Sequence, residues 1–197
     1  MYTKSAITIT NILDAAQTLF VSKNYADVTM AEIAETAQVT KGALYHHFNS
    51  KEALYVAMML ADLQEKKALM GSAVTLAGTC RERLYQLTVI YLNLSPEKRQ
   101  LIRLVRRDNN IFKDPIRSQL IYAYQAALPR QVEEIIQAGI DQGELANTDA
   151  RLLSWAYVAL VEVLLSDYAQ SVLGNTNRLA GYVLDLFFNG AQEANLS

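Results

Sequence analysis

The chain reads as an all-α protein on three observations. Apolar residues recur at helical spacing almost throughout, alternating strand patterns are absent, and only 8 glycines and 3 prolines punctuate 197 residues. The first helix carries Ile12, Leu13, Ala16, Leu19 and Phe20 along one stripe, able to roof whatever follows. Two short helices come next. Thr29, with Glu32 three residues on, forms a capping box for the first, and Val28 and Ile33 are placed to staple it. Val39, Thr40 and Leu44 repeat the device for the second. About seven residues then remain before Phe48, too few for a helix that is stable in isolation, so it must be held by packing and displayed for use. This is a helix-turn-helix pattern within a three-helix unit.

After Asn49 or Ser50 as cap, a longer helix is expected to about Met70, with Gly71, Ser72 and Gly78 loosening the chain behind it. Further starts are legible at Ser95-Pro96-Glu97, at Asp114-Pro115 and at Asn147-Thr148-Asp149, with Gly143 and Gly174 as stops. Pro129 falls inside the run 115–142, where it must bend or break the helix. This predicts six helices beyond residue 50. Two late segments are apolar on nearly all sides: Trp155 to Leu165 is interrupted only by Glu162, and Leu179 to Phe188 only by Gly181 and Asp185. Both are too short to span a bilayer, and a second copy of the same two helices would cover them, which predicts a homodimer through the last two helices. A central core helix is the plainer alternative for each.

Composition narrows the function. The single Cys80 excludes an intrachain disulfide, and no signal peptide or membrane span is apparent, so a cytoplasmic location is expected. The net charge of −2 gives no global footprint for nucleic acid. Locally, residues 38–51 hold Lys41, His46, His47 and Lys51 and no acid. Both histidines of the chain lie there, leaving Cys80 without a sequence-near base, and glycine-rich phosphate loops are absent; an enzyme is not expected. Adjacent histidines cannot both face one ion from a helix, so neither a metal site nor a cofactor is expected.

On a helical wheel Thr40, Leu44 and Phe48 share the packing side, while Gly42, Ala43, Tyr45 and His46 share the other. Gly42 costs a helix about 1 kcal/mol against alanine, a cost offset where the helix tip presses on base edges or phosphate. Lys41 can reach a guanine edge or a phosphate. Thr29, Thr40, Tyr45, His46, His47 and Lys51 suit phosphate contacts. The two threonines are caps in any case, and His47, lying between the two sides, is equally readable as a buried histidine.

The stretch V-T-M-A-E-I-A-E-T-A-Q-V-T-K-G-A-L-Y-H-H-F-N-S-K-E-A-L closely resembles the N-terminal domain of TetR-type (TetR/AcrR) transcriptional repressors. The resemblance implies a dimer of nine-helix subunits that binds a near-palindromic double-stranded DNA operator and releases it when a small-molecule effector enters the C-terminal domain. By position it puts Lys41, Gly42 and Ala43 on bases and Thr29, Tyr45, His46, His47 and Lys51 on the DNA backbone. Residues 1–49 are then the DNA-binding domain and 50–197 a six-helix effector-binding and dimerisation domain. An alternative keeps the fold but gives it a ligand-binding or architectural role without DNA regulation.

No ligand motif is transferable to the C-terminal part. Its tyrosine-rich composition suggests a pocket with apolar walls and hydrogen-bonding tips, from which Tyr85, Tyr91, Phe112, Tyr122 and Trp155 are candidates, although ordinary core roles compete for each. Glu162 joins them because a carboxylate among Val161, Val163, Leu164 and Leu165 needs a partner. Arg99, Arg103, Arg106 and Arg107 share a face opposite Leu101, Leu104 and Val105 that reads first as solvated, with an anionic effector such as an acyl-CoA as the alternative.

Overall fold

A computed structural model describes residues 4–95, 98–99, 104, 107–108 and 110–190. Pro96, Glu97, Leu101, Arg103, Val105 and Arg106, which figure in the expectations above, lie outside the described residues. Among the described residues every regular element is helical. The helices are α1 (Lys4–Ser22), α2 (Met30–Thr36), α3 (Lys41–His47), α4 (Lys51–Val74), α5 (Cys80–Leu92), α6 (Ile116–Ala127), α7 (Pro129–Asp141), α8 (Ala150–Val163), α9 (Asp167–Leu173) and α10 (Thr176–Asn189). A 3-10 turn at Tyr25–Asp27 joins α1 to α2.

Seven described helices therefore follow residue 50 rather than six. Pro129 sits at the first position of α7, so the run 115–142 is broken and not merely bent. Ser166, whose hydroxyl accepts from the Ala169 amide at 3.2 Å, starts α9 as a helix of its own. In the other direction α4 outruns its expected end by one turn. Ser72 donates back to the Leu69 carbonyl at 2.7 Å and Ala73 is fully buried, so neither Gly71 nor Ser72 ends the helix.

The chain packs as two compact units, residues 1–64 with 95–124, and residues 65–94 with 125–197. These borders differ from the division at residue 50, because the first turns of α4 pack into the same core as α1. In the first unit Ile12, Ala16 and Phe20 of α1, Ile33 of α2, Leu44 of α3 and Leu54 and Tyr55 of α4 are each at most 1% exposed. Four aromatic rings knit that core. Tyr55 meets Phe20 edge-on at 4.9 Å and Tyr25 at 5.3 Å, while Phe112 lies 5.2 Å from Tyr25 and 5.1 Å from Tyr55.

In the second unit α7 packs on α8, and α5 packs on both α7 and α10. Gly139 of α7 marks a close crossing: a Cβ there would stand 2.7 Å from the Cys80 Cβ. The Tyr157 hydroxyl, fully buried, is hydrogen-bonded to Thr88 at 2.6 Å and donates to the Leu84 carbonyl at 3.3 Å. Asp149 caps α8 and Asn175 caps α10, each through its side chain. Each of the helices carrying the two apolar segments is buried on one side and leaves apolar residues exposed on the other. Tyr157, Val158 and Val161 of α8 and Leu179, Val183 and Leu184 of α10 are buried, whereas Leu152 (69%), Val163 (64%) and Tyr182 (53%) stand exposed. No single described helix is long and apolar enough to cross a membrane.

Candidate nucleic-acid interface

The reader is assembled by local signals. The Thr29 hydroxyl accepts from the Glu32 amide at 3.2 Å, and the Glu32 carboxylate accepts in return from the Thr29 amide and hydroxyl, each at 2.9 Å. Lys23 adds an ion pair to Glu32 at 2.8 Å. Together, Lys23 first and the Thr29 groups second, these donors lower the Glu32 carboxyl to about 2. The turn to α3 passes through Gln38 at φ 55°, with Gln38 donating to the Glu35 carbonyl and Val39 to the Ala34 carbonyl. Thr40 then caps α3, accepting from the Ala43 amide at 3.1 Å, and Leu44 anchors that helix as its only buried side chain. This geometry leaves Thr40, Lys41, Gly42, Tyr45 and His46 exposed, and Ala43 and His47 half-buried. Tyr45 is 52% exposed. His47 is thus not the fully buried histidine that its wheel position allowed; its ring stands 5.2 Å from that of His46.

Gly42 is the informative member. Its φ is not positive, and a Cβ built there meets nothing closer than the Thr40 Oγ1 at 3.9 Å. The chain's own packing therefore supplies no reason for glycine in a seven-residue helix.

Two of the expected phosphate ligands are otherwise engaged. The Thr29 hydroxyl already donates and accepts within its capping box, whereas the Thr40 hydroxyl accepts from the Ala43 amide. Lys51 departs further from expectation. Its ammonium donates to the carbonyls of Tyr25 (2.8 Å), Val28 (2.9 Å) and Ala26 (3.3 Å), which accounts for all three of its N–H groups. Sequence reading had no access to this, because the acceptors are backbone atoms 23–26 residues away.

The effector candidates do not converge on one cavity. Phe112 is 4% exposed and belongs to the aromatic core of the first unit; with Tyr55, Met59, Leu104 and Asp108 it lines a space of about 10 Å³, room for a single water. Tyr91 is 1% exposed and is a core residue of the second unit, while Tyr122 projects outward at 60% exposure. Tyr85 lines a groove of about 400 Å³ with Arg81, Gln86, Gly181 and Asp185, and Trp155 a separate cleft of about 240 Å³ with Gln125, Arg130 and Arg151. Glu162 is half-buried and interacts within the protein. Arg107, read as part of a solvated face, is exposed and also grips Asp108 through Nε (2.6 Å) and Nη2 (2.8 Å). Among the described residues no cluster of histidine, cysteine and carboxylate side chains could hold a metal ion.

An exposed short helix set on a capped helix-turn-helix is the arrangement by which proteins present a helix to the major groove of DNA. Residues 12–58 match the family described as bacterial regulatory proteins, tetR family. The HTH-type transcriptional regulator UidR of Escherichia coli (strain K12) is 38% identical over 68 residues, 34% of this chain and 35% of UidR's own length. The HTH-type transcriptional activator FasR of Mycolicibacterium smegmatis is 28% identical over 149 residues, 76% of this chain and 66% of FasR. In fold, FadR from Bacillus subtilis, solved in complex with stearoyl-CoA, superposes with a TM-score of 0.77 at 18% identity, covering 93% of this chain and 99% of FadR.

Proposed function

We propose that this protein is a dimeric transcriptional regulator that reads a near-palindromic operator with α3 and answers to a small molecule held by its C-terminal helices. Gly42 carries the reading. A glycine in a short exposed helix, with open space where its side chain would be, is explained by close approach of an outside surface, and duplex DNA is the surface that a helix tip bearing Thr40, Lys41, Tyr45 and His46 fits. Lys41, Gly42 and Ala43 face base edges; Thr40, Tyr45, His46 and His47 face the phosphates. The exposed apolar residues of α8 and α10 support self-association through those helices, which would set two copies of α3 about 34–36 Å apart, one DNA turn. The division at residue 50 is on this reading a functional one, with α4 as the continuous rod that transmits an effector's influence to the reader. Transcription control places the protein with the DNA, in the cytoplasm.

Selection of bound duplexes from a random pool tests the reading directly. A recovered palindrome supports it, and no enrichment sinks it. On the recovered site, Lys41→Ala should weaken binding and relax base preference, whereas His47→Ala should weaken binding to all sequences alike. Equal losses on operator and random DNA for both variants would remove the assignment of α3 faces. FadR's stearoyl-CoA makes long-chain acyl-CoA the first effector class to assay against the bound complex.

A further inference from the structure

Lys51 opens α4, where a cation faces the positive end of the helix dipole and is locally misplaced. The structure shows what offsets this. Its ammonium is ringed by the carbonyls of Tyr25, Ala26 and Val28 and lies 4.5 Å from the centroid of the Tyr25 ring. Those carbonyls form the 3-10 turn and the residue that immediately precede Thr29, the cap on which α2 is built. The same connection is held at its start by a second cation. Arg107 Nη2 donates to the carbonyls of Phe20 (3.2 Å) and Lys23 (3.4 Å) at the end of α1. Residues 20–28 are thereby held by two cations, Lys51 of α4 and Arg107.

We propose that Lys51 is a positioning residue for DNA binding and not a phosphate ligand. It pins the connection before α2 to the first turn of α4, and so sets the angle at which α2 and α3 are presented. This rests on the DNA-binding reading and assigns the lysine a role within it. A phosphate contact would require the ammonium to abandon three hydrogen bonds for one anion.

The two roles differ in their salt dependence. Operator affinity is to be measured from low to high salt on the selected duplex, for the full-length protein and for Lys51→Met, which keeps the stem and loses the donors, at a temperature where both are folded by circular dichroism. A phosphate ligand removed from each protomer lowers the slope of log K against log salt by about 0.9 per contact. The positioning role predicts instead a loss of about tenfold at every salt concentration with an unchanged slope. Lys51→Arg provides the second arm, and decides the matter should Lys51→Met not fold. Arginine equals or betters lysine on a phosphate but cannot reproduce a compact three-carbonyl cap, so a clear loss of affinity supports positioning. Wild-type affinity in either variant, or a flattened slope in Lys51→Met, overturns the assignment of Lys51 alone. Failure of the wild-type protein to bind any duplex overturns the DNA-binding reading and the assignment with it.

Discussion

The Tyr55 hydroxyl donates a 2.8 Å hydrogen bond to Oδ2 of Asp108, a carboxylate only 3% exposed that also accepts from the Arg107 guanidinium at both of its oxygens. Burial, reinforced by this acceptor, pushes the Tyr55 phenol well above its ordinary range, while the carboxylate holds the Arg107 guanidinium more firmly charged. Two residues from separate stretches of the chain, Tyr55 and Arg107, thus satisfy one buried charge. Tyr55→Phe leaves the aromatic packing in place and removes one donor from that charge, so unfolding free energy should fall by about 1–3 kcal/mol. Urea denaturation measures it; an unchanged midpoint would mean that Arg107 alone satisfies Asp108.

Gly42→Ala should act with opposite signs on folding and on function. The free protein gains up to about 1 kcal/mol from restored helix propensity, since nothing crowds the new methyl. Operator binding weakens because that methyl occupies the space that the DNA would enter. Thermal melts and a binding titration on the same preparation report both, and a variant binding as tightly as wild type would strip Gly42 of its proposed role.

Acid should loosen the start of α2. Glu32 is depressed from 4.5 to about 2 by Lys23 and Thr29, so its stabilising contribution is complete above about 4.5 and is lost as the pH falls towards 2. Glu32→Gln keeps an acceptor for the Thr29 amide but cannot titrate. Between pH 4.5 and 2 the wild-type stability should therefore decline more steeply than that of the variant; parallel declines would show that the capping carboxylate is not the group responsible.

Gly139→Ala should overpack the crossing of α7 on α5. The added Cβ would lie 2.7 Å from the Cys80 Cβ and 2.9 Å from its Sγ, a conflict expected to cost about 1–3 kcal/mol. Adding Cys80→Gly to that background removes the opposing atoms and should restore part of the loss. If the single variant melts at the wild-type temperature, the helices have room to part and the crossing is not close in solution.

The buried Cys80 thiol should resist alkylation in the native protein. Burial, with Glu144 nearby, raises it to about 11, which leaves little thiolate at neutral pH. Iodoacetamide labelling should therefore appear only as the protein unfolds, and rapid native-state labelling would contradict the burial.

What was legible in the sequence is what neighbouring residues settle among themselves. The capping box of Thr29 and Glu32, the cap of Thr40 and the anchor at Leu44 each act within four positions, so reading them in order placed α2 and α3 and exposed the face of Gly42 and Tyr45. Asp149 as the start of α8 was legible for the same reason. Whatever depended on distant partners was not. Lys51 looks like a phosphate ligand until the chain returns the carbonyls of Tyr25, Ala26 and Val28 to it, and Arg107, exposed as its face suggests, shows its partners Asp108, Phe20 and Lys23 only in the fold. Tyr91, Phe112 and Tyr122 are indistinguishable in the sequence as aromatic residues, yet two are core and one is surface. Hydrogen-bond capping is a short-range matter of backbone geometry, whereas burial and the pairing of long cationic side chains depend on which helices meet, and that is settled only when the cores close.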